Sequence, residues 1–109
     1  MPTDLTERHV QILLVLAEGP SHGYAVAKEI EARTGGGVVL KPGSMYRALH
    51  QLLERRCLEE VEVEGGDEDR RREYRVTPTG RGALRQALEH YRGLVRSGER
   101  LGVVRGHES

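Results

Sequence analysis

The sequence predicts a mainly α-helical protein with a small β-hairpin: three helices, a two- or three-stranded flap and one long final helix. Three observations carry that prediction. Residues 40–56 place their apolar side chains on a single helical face, two stretches around Gly65-Gly66-Asp67-Glu68-Asp69 alternate with a period of two, and leucines after Pro78 return at helical steps. A chain of 109 residues makes one domain that buries only about two-thirds of its unfolded surface, so a partner chain would add stability. With no Trp or Phe and four Tyr, the core has to come from Leu, Val, Ala and Ile.

Taken in order, Asp4 and Glu7 have the spacing of a helix-start box, and Val10, Ile12 to Leu14 and Leu16 continue an apolar run to Gly19-Pro20. Ser21 is the expected cap of a second helix from about His22 to Thr34. Its inner face is read as Tyr24, Val26, Ala27 and Ile30, with Lys28, Glu29, Glu31 and Arg33 facing water. Gly35-Gly36-Gly37 stops it, and Val38 to Leu40 is a short β-branched link. Pro42 opens the third helix, where a missing N–H costs nothing, and the helix closes at Cys57. Met45, Ala48, Leu49, Leu52 and Leu53 recur at 3, 4, 7 and 8 residue steps, which leaves Ser44, Arg47, His50, Gln51 and Glu54 opposite and Tyr46 on the flank.

Val61 and Val63 then alternate with glutamates, and Tyr74 and Val76 alternate with Glu73 and Arg75, as in two half-buried strands whose return begins with Arg70-Arg71-Arg72. Three helices followed by such a flap is the order of a winged helix-turn-helix, in which the third helix enters the DNA major groove. Thr77-Pro78 starts the last helix; Leu84, Leu88, Tyr91 and Val95 form a seam with Leu94 alongside, read as a contact between two chains. Its glycines weaken it, so it should fray beyond about Arg100, with the terminal Gly-His-Glu-Ser disordered. The division is residues 1–77 for DNA binding and 78–109 for dimerisation.

The net charge is zero, but seven acids and no base lie between Glu59 and Asp69, which leaves seventeen bases against ten acids elsewhere. Fifteen of the bases are Arg, the side chain that grips phosphate and guanine with two hydrogen bonds; genome composition is the other source of such a bias. On this reading Lys41, Tyr46, Arg70, Arg71 and Arg72 hold phosphates of double-stranded DNA, Arg47 and Gln51 reach base edges, and Ser44 and His50 complete the face. A solvated surface helix and a charge patch neutralised by its neighbours are the plain alternatives.

These residues resemble a known family. Leu13 to Gly19, His22-Gly23-Tyr24, Pro42-Gly43-Ser44-Met45-Tyr46-Arg47-Ala48-Leu49, the acidic-to-Arg hairpin ending Tyr74-Arg75-Val76-Thr77, and Gly80-Arg81 are similar to a short-type PadR-family transcriptional regulator. The resemblance implies a homodimer joined through its last helix, binding a palindromic operator as a repressor until an effector releases it. Where many relatives carry a small polar cap this chain has Lys41, and Cys57 stands where relatives usually close the third helix with Gly. Relatives that sandwich planar drugs use an aromatic pair from the last helix. Here Tyr91 stands alone and suits a small planar or phenolic effector, or plain seam packing.

Catalysis finds no anchor. His9, His22, His50, His90 and His107 form no zinc-type pair, and neither a nucleophile elbow nor a phosphate loop occurs, so neither enzyme, metal nor cofactor is expected. The single Cys57 excludes an intrachain disulfide; a redox-sensing repressor using Cys57 and a winged-helix module that binds proteins are the alternative functions. With no apolar run of about 18 residues and no basic head before an apolar stretch, the expected location is the cytoplasm, on the nucleoid and away from membranes.

Overall fold

A computed structural model describes residues 5–62 and 72–105. In chain order the elements are α1 (Glu7–Leu16), β1 (Ser21–His22), α2 (Gly23–Arg33), α3 (Pro42–Glu54), β2 (Leu58–Val61), β3 (Glu73–Val76) and α4 (Pro78–Arg100). The strands form one antiparallel sheet in the order β1-β3-β2, so the flap has three strands. This is the winged helix-turn-helix order that the hydrophobic periodicities predict. The core lies where α1, α2, α3 and the first half of α4 meet, and Ile12, Leu13, Leu16, Val26, Ile30 and Leu52 are its largest fully buried side chains.

The helix starts differ from the sequence reading. Asp4 lies outside the described residues, and α1 is capped by Thr6, whose hydroxyl accepts the His9 N–H while His9 Nδ1 accepts the Thr6 N–H. A histidine thus takes the place of the usual Glu or Gln in a capping box. Ser21 is not the cap of α2. It pairs with Tyr74 in β1, and His22 caps the helix by accepting the Ala25 N–H on Nδ1. Tyr24 is also not a core residue: it is 64% exposed, because the fully buried Val26 and Ile30 lie about 200° and 240° around the helix from it. At the other end of α2, Gly35 and Gly36 donate to Ala32 and Glu31 with positive φ, which ends the helix as the glycine run predicts.

The wing is set by its register. Leu58 faces Val76 and both are buried, whereas Glu59 pairs with Arg75 on the outer face, and Val61 shares that face opposite Glu73. The expectation that Val61 marks the inner face is therefore reversed: antiparallel partners share a face, and the inner one belongs to Leu58, Tyr74 and Val76. Val63, Arg70, Arg71 and the turn at 65–69 lie outside the described residues.

The turn between α3 and β2 carries strain, but not at Cys57. Arg56 adopts φ 60° while its N–H bonds Leu53 and the Cys57 N–H bonds Leu52. That is a left-handed helix closure occupied by a residue with a Cβ, and the glycine expected at Cys57 is needed one residue earlier. Replacing Arg56 with Gly is expected to raise stability by about 1 kcal/mol, read as a higher urea midpoint at unchanged slope.

A candidate nucleic-acid interface

The third helix owes its exposure pattern to its sequence spacing. Met45, Ala48, Leu49 and Leu52 are buried against α1 and α2, Leu53 is half-buried, and Tyr46, Arg47, His50 and Gln51 are exposed. Ser44 is half-buried. Lys41 is the exposed N-cap and makes no side-chain cap bond, so the first turn of α3 begins without a side-chain cap and with a lysine beside it. Among the described residues neither Lys41 nor Arg47 forms an ion pair.

The other members of the face have partners. Tyr46 and His50 stack with ring centroids 6.3 Å apart, and His50 Nε2 lies 3.4 Å from Glu54. These are i,i+4 neighbours, so one column of α3 is braced along its length. Gln51 is tied to α1: its Oε1 lies 2.8 Å from His9 Nε2. Arg72 is paired with Glu60 at 3.0 Å on the wing, an exposed contact that a phosphate can replace. Arg70 and Arg71 are outside the described residues.

One cleft of about 490 Å³ joins α2, α3 and the wing. Leu40, Met45, Leu49 and Tyr74 line it, and Tyr24, Lys28, Tyr46 and Arg72 stand around it. It brings Tyr46 and Arg72, which are 26 residues apart in sequence, to one surface. Tyr24 and Lys28 belong to that surface too, with Lys28 Nζ 5.3 Å from the Tyr24 ring centre. The sequence reading missed both, assigning Tyr24 to the core and Lys28 to plain solvent. The signal was their i,i+4 spacing on the side away from Val26.

Cys57 is buried, and burial pushes its thiol above the ordinary cysteine range, which opposes the thiolate that a redox sensor needs. No group of His, Cys, Asp or Glu among the described residues is arranged to hold a metal. None of the described helices is long and apolar enough to cross a membrane.

The seam of α4 divides in two. Leu84, 7% exposed, and Ala87 are buried in the chain's own core, so Leu84 is not available as a dimer contact; the cause is that α4 lies across α1 for its first turns. Tyr91 packs at the edge of that core, whereas Leu88, Leu94 and Val95 are exposed at 37%, 57% and 55%. The helix ends at Arg100, where fraying was expected, and Gly106 to Ser109 lie outside the described residues.

The family model for the transcriptional regulator PadR-like family matches residues 12–86. An uncharacterized 37.1 kDa protein in transposon TN4556 of Streptomyces fradiae is 40% identical over 73 residues, which is 67% of this chain. The chain spans 19% of that relative's length. Among solved structures, a transcriptional regulator from Clostridium thermocellum, Cth-833, superposes with a TM-score of 0.75 at 29% identity, covering 84% of this chain and 86% of that one. Bacillus subtilis PadR in complex with operator DNA gives a TM-score of 0.66 at 21% identity over 74% of this chain and 46% of that one, a likeness of fold.

Proposed function

Because the chain belongs to the transcriptional regulator PadR-like family, a family of DNA-binding regulators rather than enzymes, we propose that it is a homodimeric repressor of a palindromic operator. The observation that carries the reading is the outward face of α3, where Lys41 and Arg47 stand without ion partners among the described residues beside the cleft of Tyr24, Tyr46 and Arg72. Bacillus subtilis PadR, whose fold is similar, was solved with operator DNA, and that supports DNA as the partner here. Lys41, Tyr46 and Arg72, with Arg70 and Arg71, hold phosphates. Arg47 and Gln51 approach base edges from the major groove, and Ser44 and His50 border them. Residues 1–77 form the DNA-binding unit and α4 joins two copies. A small planar or phenolic effector near the half-buried Tyr91 releases the operator by favouring one spacing of the two units.

The test separates the two kinds of contact. Arg47→Ala is expected to lose about 1 to 3 kcal/mol of operator affinity and to blur sequence preference, whereas Lys41→Ala weakens all sequences alike and flattens the salt dependence. Affinity titrations at several salt concentrations, against selected and random duplexes, read both. A wild-type protein that binds no genomic fragment more tightly than random duplex contradicts the repressor.

A further inference from the structure

His9 joins α1 to the recognition face through two ring nitrogens with opposite roles. The imidazole is 4% exposed and sits at the third position of α1. Its Nδ1 lies 3.1 Å from the Thr6 backbone nitrogen, which can only donate, so Nδ1 carries no proton. The single proton of a neutral ring is then on Nε2, and Nε2 lies 2.8 Å from Gln51 Oε1. A protonated Nε2 requires an acceptor, so the carboxamide of Gln51 must turn its oxygen toward α1 and its NH₂ away from it. Burial, together with nearby Arg55 and Arg8, holds His9 below the ordinary histidine range, against the opposing effect of the Gln51 hydrogen bond. The ring therefore stays neutral and the tautomer is set by the cap.

We propose that His9 is a specificity-determining positioning residue, which makes Gln51 a hydrogen-bond donor toward DNA and directs it to guanine rather than adenine. A free glutamine reads adenine with two bonds, its oxygen accepting from N6 and its NH₂ donating to N7. With the oxygen drawn toward α1, an adenine edge in the groove would meet NH₂ with its own amino group. Guanine presents two acceptors, O6 and N7, and both suit the outward NH₂. Cytosine, which offers an amino donor, is disfavoured for the same reason as adenine. His9 touches no base; it acts by choosing which end of Gln51 is presented.

This inference rests on the DNA-binding reading above, and its experiment separates the two. Sequences bound by the full chain are selected from a random duplex pool for wild type, Gln51→Ala and His9→Glu. The His9→Glu change keeps a side-chain acceptor for the Thr6 N–H, because Glu at this position completes a capping box, but a carboxylate only accepts, so Gln51 has to turn its NH₂ toward α1 and its oxygen outward. Wild type should select guanine at the position that loses its preference in Gln51→Ala. His9→Glu should shift the ratio of adenine to guanine at that same position toward adenine by about fivefold or more while leaving the positions read by Arg47 unchanged. An unchanged base at that position in His9→Glu, or a Gln51→Ala variant with wild-type preference everywhere, overturns the proposal while the repressor reading stands. A wild type that selects no sequence overturns both. Should His9→Glu not fold, long-range ¹H–¹⁵N spectra of wild type decide independently: a proton on Nε2 and none on Nδ1 supports the arrangement, and the opposite tautomer sinks it.

Discussion

Gly80→Ala is expected to destabilise the domain by about 3 kcal/mol or more, an effect far larger than adding one methyl group suggests. Gly80 is the third residue of α4, and a Cβ there would lie 2.1 Å from the Cys57 carbonyl oxygen, 2.9 Å from its carbonyl carbon and 3.0 Å from Val76 Cγ1. Two of the three are backbone atoms and cannot rotate away. The same corner is bonded twice more, because the Thr77 N–H donates to the Cys57 carbonyl at 3.0 Å and the Thr77 hydroxyl donates to the Arg56 carbonyl. Relief of the clash must therefore lift α4 from the α3–β2 turn or break both bonds. The control is Ala at Gly82 or Gly93, where a Cβ meets nothing within 4 Å. There the change should stabilise by up to about 1 kcal/mol through helix propensity alone. Urea unfolding of the three variants is the measurement, and a Gly80→Ala midpoint equal to that of Gly82→Ala would contradict the packing argument.

That contrast shows where sequence reading stops. Every glycine of α4 looks alike in the sequence, each a helix weakener, and only the approach of a distant carbonyl distinguishes Gly80 from Gly82. The α3 face was legible because it depends on spacing within one helix: Met45, Ala48, Leu49 and Leu52 bury themselves and Arg47 and Gln51 are left outside. The pairing of Gln51 with His9 was not, since it joins residues 42 positions apart and has no periodic signature. Strand β1 was missed because two residues carry no alternation; it exists because Ser21 and His22 meet Tyr74 and Glu73. The left-handed residue was placed one position late, because Cys57 carries the last hydrogen bond of the closure while Arg56 takes the positive φ.

Leu94→Asp is expected to convert a dimer into a folded monomer, and Leu84→Asp to unfold the chain. The seam of α4 is continuous in sequence but not in burial: Leu84 is 7% exposed inside the chain's own core, Leu88 is 37%, and beyond Tyr91 the apolar side chains of Leu94 and Val95 have no cover within the chain. A charge at Leu84 would be buried among α1 and α4 side chains, at a cost of about 4 kcal/mol or more, comparable to the whole stability of a domain this size. A charge at Leu94 would cost nothing in an isolated chain, because that face is solvated, but would be desolvated against a partner helix. Loss of the dimer should weaken operator binding by about 100-fold or more, since two half-sites then bind independently instead of being held about 34 Å apart. Sedimentation gives the mass, circular dichroism the fold and titration with a palindromic duplex the affinity. A Leu94→Asp protein that remains dimeric with wild-type operator affinity would place the two-fold contact on another surface, and a wild type that sediments as a monomer would remove it altogether.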